Sequence, residues 1–296
     1  MGAYLDTPIT EKHEEDGAGM GLDFGVSAMQ GWRSGMEDAH IAVLGVGGSR
    51  AALFGVLDGH GGALIANEAA QRFAAKLTAA EGWGAFAAGE RELDDGAVQE
   101  MVRRVFLSLD DDLKALDAVK SGDDRSGTTA VVGLITPTHV LVANCGDSRS
   151  VLGRRGGAVH AMSFDHKPDN PDERARIEAA GGCVSGKRVD GELAVSRALG
   201  DFQFKMNHAV QNTEQRVSAE PEFVCVERGD GDDFLILACD GIWDVVTNEE
   251  GVQWVSAALA RGESCVRAAS GLIDHCLELN SKDNMSVVVV RLQSSA

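Results

Sequence analysis

Leu53-Phe-Gly-Val-Leu-Asp58-Gly-His-Gly-Gly62 is an apolar run that ends abruptly in a carboxylate, a histidine and three glycines. Because the residues from Ala51 to Leu57 include no polar side chain, we predict a strand that is buried on both faces. An ionised Asp58 at the tip of such a strand is costly unless a partner neutralises it. The glycines that follow let the backbone approach that partner closely. Taken alone, the same glycines are equally consistent with a hairpin turn.

The pattern of an apolar run that ends in a carboxylate recurs further along the chain. Asp233-Phe-Leu-Ile-Leu-Ala-Cys-Asp240 repeats it, and Asp283 stands before a last strand predicted over residues 286–292. Glu37 and Asp38 lie between two further strand candidates, at 22–30 and 40–46. Carboxylate oxygens suit hard ions such as Mg²⁺ or Mn²⁺, and the sequence lacks the Cys/His cluster that zinc prefers. Like charges brought together by sheet packing would require cations.

The overall charge is strongly negative, with 46 Asp and Glu against 27 Lys and Arg and a formal net charge of −19. Nothing forms a basic patch, which argues against nucleic acid and anionic membranes as partners. The same charge would repel a phosphorylated substrate unless metal ions made the site positive. The six cysteines form no C-x-x-C pair, and we find no signal peptide or long apolar run. These features predict a soluble protein of a reducing, intracellular compartment.

The hydrophobic periodicity predicts an arm, one large domain and a flap. Residues 1–21 are expected to form a loosely tethered N-terminal arm, and residues 22–293 a single domain. Within that domain we predict helices over 63–77, 98–116, 172–180, 248–260 and 264–279, and closely connected antiparallel strands over 127–135, 138–144, 150–152, 158–163 and 222–227. Residues 165–215 are polar and loop-rich, which is typical of an irregular flap beside a site.

Eight short motifs, in a fixed order, resemble those of the metal-dependent serine/threonine protein phosphatases of type 2C. They cover residues 22–292 and read Arg33…Glu37-Asp38, Asp58-Gly-His-Gly-Gly62, Ser126-Gly-Thr-Thr129, Asn144-Cys-Gly-Asp147-Ser-Arg149, Asp165-His-Lys-Pro168, Ser196-Arg-Ala-Leu-Gly-Asp201, Asp240-Gly-Ile-Trp-Asp244 and Asp283-Asn-Met285. The resemblance implies an α+β fold, a four-layer αββα sandwich. Two mainly antiparallel β-sheets pack face to face, with helices on both outer faces.

The same resemblance implies a centre of two divalent ions, Mg²⁺ or Mn²⁺. In it, Asp58 bridges the two ions and Gly59 contributes its carbonyl oxygen. Asp240 and Asp283 complete the shell of one ion, and Glu37 reaches the other, partly through water. The implied activity is hydrolysis of phosphoserine and phosphothreonine monoesters on proteins, by direct attack of a water held by the two ions.

Three further residues receive catalytic roles from the resemblance. Asp38 would orient the attacking water, Arg33 would bind the phosphate, and His60 would act as the general acid. Asp147 and Asp244 match positions that, with Asp240, hold a third, weaker ion in some relatives. We expect a monomer that acts on phosphorylated proteins in the cytoplasm, with nuclear and loosely membrane-associated locations left open.

The two ends of the chain carry expectations of their own. Gly2 is the position that an N-myristoyl group would take, and the opening residues resemble those of animal-type members that are acylated there. The simple pattern asks for Ser or Thr where this chain has Asp6, so acylation stays open, and one acyl chain would give only weak, reversible membrane contact. Larger relatives have a C-terminal helical extension. Because this chain ends at Ala296, soon after the predicted last strand, we expect no regulation through one.

Three alternatives compete with this interpretation. A catalytically inactive, phosphoprotein-binding member of the same fold would be expected to lack a metal aspartate, and here Asp58, Asp240 and Asp283 are all present. A two-metal nuclease or small-molecule phosphatase would be distinguished by its turnover of DNA or sugar phosphates. A purely structural module would leave the strand-end carboxylates unexplained.

Overall fold

The structure is a computed structural model that describes residues 4–293. The predicted acylation site, Gly2, therefore lies outside the described residues. The strands are β1 (Tyr4–Gly19), β2 (Leu22–Arg33), β3 (Ala39–Val43), β4 (Ala52–Leu57), β5 (Gly59–His60), β6 (Gly127–Thr128), β7 (Ala130–Ile135), β8 (His139–Cys145), β9 (Arg149–Arg154), β10 (Val159–Ala161), β11 (Val184–Ser185), β12 (Arg188–Val189), β13 (Leu199–Gly200), β14 (Glu222–Glu227), β15 (Asp232–Ala238) and β16 (Met285–Leu292).

The helices lie in three places along the chain: between β5 and β6, between β10 and β11, and between β15 and β16. They are α1 (Leu64–Thr78), α2 (Trp83–Ala87), α3 (Gly96–Lys114), α4 (Asp117–Ser121), α5 (Pro171–Ala179), α6 (Asp240–Trp243), α7 (Asn248–Ala260) and α8 (Cys265–Glu278). None of the helices in residues 4–293 combines the length and the apolar character that crossing a membrane requires.

Two antiparallel sheets form the centre of the molecule. The larger has the strand order β1-β2-β16-β15-β9-β10, and the other has the order β14-β8-β7-β4-β3. Short connections such as the turn between β7 and β8 make sequence neighbours into hydrogen-bonded neighbours. The long crossovers carry the helices, which leaves the sheets free to pack on each other.

Strand β4 shows how the layers are built, because every one of its residues is buried. Alternate side chains of a strand point to opposite faces. Phe54 and Val56 therefore join an apolar cluster between the two sheets, which also contains Leu237 of β15. Leu53 and Leu57 point the other way, into a cluster with the helices α1 and α3. The prediction of a strand buried on both faces is confirmed.

The outer face of the larger sheet is covered by the helices α7 and α8. Val287 and Val289 of β16 pack in one cluster with Val255 of α7 and Ile273 of α8. With α1 and α3 on the opposite side, the order of layers is helix, sheet, sheet, helix. This arrangement confirms the predicted αββα sandwich.

The segment expected to be a loosely tethered arm is instead a long strand. Residues Lys12 to Gly19 of β1 pair continuously with Met29 to Leu22 of β2, and the Lys12 Nζ atom lies 2.6 Å from Asp274 Oδ2 of α8. Strand β1 lies at the edge of its sheet and most of its residues are exposed, so its sequence lacks the apolar alternation of a half-buried strand.

The predicted flap has more structure than an irregular loop. It contains α5 and the hairpin of β11 and β12, and Ile177, Val189 and Phe204 belong to a small apolar cluster of its own. Glu173 of α5 is buried and accepts hydrogen bonds from the guanidinium groups of Arg176 and Arg197, each at 2.7 Å. Because Arg197 lies outside α5, its ion pair with Glu173 holds α5 against the segment that precedes β13.

Candidate active site

The predicted strand-end carboxylates Asp58, Asp240 and Asp283 share an open cavity of about 670 Å³ at one end of the two sheets. Each lies at the end of an element, because Asp58 follows β4, Asp240 follows β15 by two residues, and Asp283 precedes β16. Strands β15 and β16 are antiparallel neighbours, so the end of one meets the start of the other. The members of the predicted metal set that line the cavity are Asp58, Gly59, Asp147, Asp240, Asp244 and Asp283.

Glu37 and Asp38 are not among the residues that line this cavity. The backbone of Glu37 passes so close to Gly59 that a Cβ atom on Gly59 would lie 2.1 Å from the Glu37 carbonyl oxygen. Only glycine fits at that position. Asp38 Oδ2 accepts a hydrogen bond of 2.7 Å from Ser286 Oγ, and one ligand atom each of Asp38, Asp58 and Cys239 lie within 4.8 Å of one another.

The electrostatics of the cluster favour a bound cation. Burial, with the charges of Asp240 and Asp38, raises the pKa of Asp58 well above its usual range. Burial and the charge of Asp147 raise the pKa of Asp240 to about 8, and burial raises that of Asp38 to about 7 although the Ser286 hydrogen bond opposes the change. Within residues 4–293, Asp38 Oδ1 is buried without a hydrogen-bond partner. The crowded carboxylates of this cluster offer the oxygen ligands that hard divalent ions take.

Arg33 lies at the end of β2 and lines the same cavity. Its Nη2 atom donates a hydrogen bond to Asp283 Oδ2. Burial alone would lower the pKa of Arg33, but the charge of Asp283 raises it, so the guanidinium stays charged. Because a guanidinium has five N–H donors, the side chain has capacity to bind an oxyanion as well.

His60 has a buried carboxylate partner that the sequence reasoning did not identify. The His60 Nε2 atom lies 2.6 Å from Asp201 Oδ2. Burial alone would lower the pKa of His60, but the charge of Asp201 raises it. The pair meets above Gly127, where a Cβ atom would lie 2.1 Å from Asp201 Oδ2 and 2.7 Å from His60 Nε2. Asp201 is the last residue of the motif Ser196-Arg-Ala-Leu-Gly-Asp201, but the resemblance gives it no role.

Three basic residues at the cavity were also missed. Lys167 Nζ donates a hydrogen bond of 2.5 Å to Asp147 Oδ2, and Arg125 and the flap residue Arg188 line the same cavity. Lys167 belongs to the motif Asp165-His-Lys-Pro168, which was quoted only as part of the resemblance. Lys167 and Asp147 are 20 positions apart in the sequence, so only the fold brings them together.

A four-layer sandwich with a carboxylate-lined cavity at its sheet ends is typical of metal-dependent protein phosphatases. Residues 22–285 match the family described as protein phosphatase 2C. The chain belongs to that family of serine/threonine protein phosphatases, which depends on Mg²⁺ or Mn²⁺ and acts on phosphorylated proteins.

Named relatives agree with this family. Protein phosphatase 1B of Homo sapiens is 46% identical over 296 residues, which cover 98% of this chain and 61% of the relative. Protein phosphatase 1A of Mus musculus is 45% identical over 298 residues, which cover 100% of this chain and 77% of the relative. A crystal structure of a phosphatase from Toxoplasma gondii superposes with a TM-score of 0.80 at 25% identity, with 96% of each chain covered.

Proposed function

We propose that this chain hydrolyses phosphoserine and phosphothreonine monoesters with two divalent ions held by Glu37, Asp58, the Gly59 carbonyl, Asp240 and Asp283. The observation that carries the proposal is the convergence of the three strand-end aspartates on one cavity, with the pKa values of Asp58 and Asp240 raised. When bound, the ions would neutralise these carboxylates and lower the pKa of a water aimed at phosphorus.

The side chains around the ions would orient the reactants and move protons. Arg33 would hold the non-bridging phosphate oxygens through its free N–H groups, where charge builds up during in-line attack. Asp38, whose Oδ2 atom is fixed by Ser286, would orient the attacking water with its other oxygen. As the bond from phosphorus to the seryl or threonyl oxygen breaks, His60 would give that oxygen a proton. Asp201 would hold the imidazole in place.

The proposal also covers a third ion, the domain, the oligomeric state and the location. Asp147 and Asp244, with Asp240, would hold a third ion, and all three line the cavity. Residues 22–293 would form one catalytic domain that works as a monomer, and a weak acyl contact at Gly2 remains part of the proposal. A cytoplasmic location, with nuclear or loosely membrane-associated populations, is consistent with six cysteines that are all free.

The test is phosphate release from matched phosphoserine, phosphothreonine and phosphotyrosine peptides, with Mn²⁺ or Mg²⁺ and with a chelator. We expect release from the first two peptides, loss of release in the chelator, and recovery when the metal is restored. Asp58→Asn is the matched inactive variant, and Asp274→Asn on the outer helix α8 is the control that should stay active. Phosphate release from the first two peptides that is no faster than without enzyme, in excess Mn²⁺, would contradict the proposal. Faster turnover of sugar phosphates or DNA would instead favour the alternative hydrolases.

A further inference from the structure

Lys167 places a positive charge inside the carboxylate cluster. Its Nζ atom lies 2.5 Å from Asp147 Oδ2, and the Asp147 side chain is only 3% exposed. The Lys167 charge also lowers the pKa values of Asp240 and Asp244, against the burial that raises both. The ammonium group therefore interacts with the same three carboxylates that would bind the third ion.

The backbone of Lys167 is held by hydrogen bonds around it, whereas its side chain reaches into the open cavity. The preceding residue, His166, donates a backbone hydrogen bond to the Gly146 carbonyl at 2.9 Å, and its Nδ1 atom accepts one from the Gly146 N–H at 3.2 Å. The Lys167 carbonyl accepts a hydrogen bond from the backbone N–H of Asn170. The Lys167 side chain, in contrast, is 35% exposed and lines the open cavity. A four-carbon stem on a fixed backbone lets the ammonium leave Asp147 without any change of fold.

An ammonium and a divalent ion cannot both bind Asp147 at close range, because they repel each other and compete for the same oxygens. We propose that Lys167 is a tethered cation that competes with a third divalent ion for Asp147, so that the third ion binds only when the lysine side chain is displaced. This inference rests on the proposed function, because it takes the two-ion centre at Asp58 as given. It concerns displacement of a charged side chain, which stays protonated throughout.

Competition of this kind sets the number of bound ions by the divalent-ion concentration. At low concentration the ammonium neutralises Asp147 and supports the buried cluster. At high concentration the third ion replaces it, and the displaced ammonium moves towards the cavity opening. The third site is then weaker than the first two because its occupation includes breaking a charge-assisted hydrogen bond.

The direct test is Mn²⁺ binding, measured by electron paramagnetic resonance of free Mn²⁺ and by calorimetry, in Lys167→Met and in wild type. We expect two ions to bind both proteins with similar affinity and the third ion to bind Lys167→Met about tenfold more tightly, the change expected from losing one partly exposed charge-assisted hydrogen bond. Lys167→Arg keeps the cation and should bind as wild type does. Lys76→Met, which removes an exposed ion pair on α1, is the matched control.

Thermal unfolding in a chelator gives a second, independent measurement. Lys167→Met and Lys167→Gln should unfold at a lower temperature than wild type without divalent ions, and saturating Mn²⁺ should remove the difference. Adding Asp147→Asn to Lys167→Met should abolish the gain at the third site. An unchanged, weaker or absent third site in Lys167→Met would overturn the inference. Failure of wild type to bind any ion in an Asp58-dependent manner would overturn the proposed function instead.

Discussion

The substitution Glu173→Gln tests what holds the flap onto the catalytic sandwich. Glu173 is buried on α5 and accepts hydrogen bonds from Arg176, Arg197 and the Ser196 hydroxyl. Glutamine keeps the shape of the side chain, removes its charge and replaces one acceptor oxygen with an NH₂ donor. Arg197 also donates to the Glu220 carbonyl, so the carboxylate ties α5 to the chain beyond the flap.

The magnitude follows from the pKa of the carboxyl group. Burial opposes ionisation, yet hydrogen bonding from Arg197 and the charges of both arginines lower the pKa of Glu173 from 4.5 to about 2. That difference corresponds to about 3 kcal/mol of folding free energy at neutral pH. Because the folded-state pKa is lowered, this stabilisation is fully present above pH 4.5 and is lost as the pH falls towards 2.

Urea denaturation of wild type and Glu173→Gln measures this contribution. We expect the free energy of unfolding of the variant to be about 3 kcal/mol smaller at pH 7, and the difference to shrink by about 1 kcal/mol at pH 3.5. If the flap unfolds separately, amide hydrogen exchange in residues 171–200 should report the same loss. Glu178→Gln on the same helix is the matched control. Its carboxylate is 55% exposed and pairs with Arg174 at 3.5 Å, so less than about 1 kcal/mol should be lost.

Two results would refute this reasoning. Equal destabilisation by Glu173→Gln and Glu178→Gln would mean that burial of the ion pairs contributes nothing. A difference between wild type and Glu173→Gln that stays constant from pH 7 to pH 3.5 would mean that the charge of the carboxylate is not the source of the stability.

Three further predictions concern the cavity itself. Asp58→Asn should abolish both Mn²⁺ binding in calorimetry and phosphate release, and retained tight binding would contradict its proposed role as a metal ligand. Arg33→Ala should raise the KM for a phosphothreonine peptide about tenfold or more with a smaller change in kcat, so an unchanged KM would remove it from phosphate binding. Asp201→Asn should slow release from a phosphoserine peptide about ten- to hundredfold and slow p-nitrophenyl phosphate much less, as should His60→Gln. If both substrates slowed equally, proton donation by this pair would be excluded.

Local sequence patterns were sufficient where one residue and its near neighbours decide the structure. The predicted bounds of helix α7 agree with the structure, in which Thr247 and Glu250 form a capping box at its start. The apolar run of β4 and the carboxylate that follows it are also visible in the local sequence pattern alone. The αββα order of the layers, in contrast, came from the resemblance and not from periodicity.

The features that the sequence did not reveal depend on partners distant in the chain. His60 and Asp201 are 141 positions apart, and Asp201 adopts a left-handed conformation with φ of 52° that no local pattern predicts. Lys167 is an ordinary loop lysine until the fold places Asp147 beside it. Strand β1 is stabilised by hydrogen bonds to β2, and its exposed side chains carry almost no apolar signal.

Strand β2 separates the two ends of the described chain, which matters when another protein is fused to this one. Tyr4 pairs with Arg33 and lines the cavity, whereas Gln293 donates a hydrogen bond to Gly21 beside the opposite end of β2. The twelve residues of β2 span about 36 Å at the usual rise per residue. We expect a fusion partner joined before Tyr4 to lie close to the cavity and to hinder substrate binding. An affinity tag joined after Gln293 would be far from the cavity.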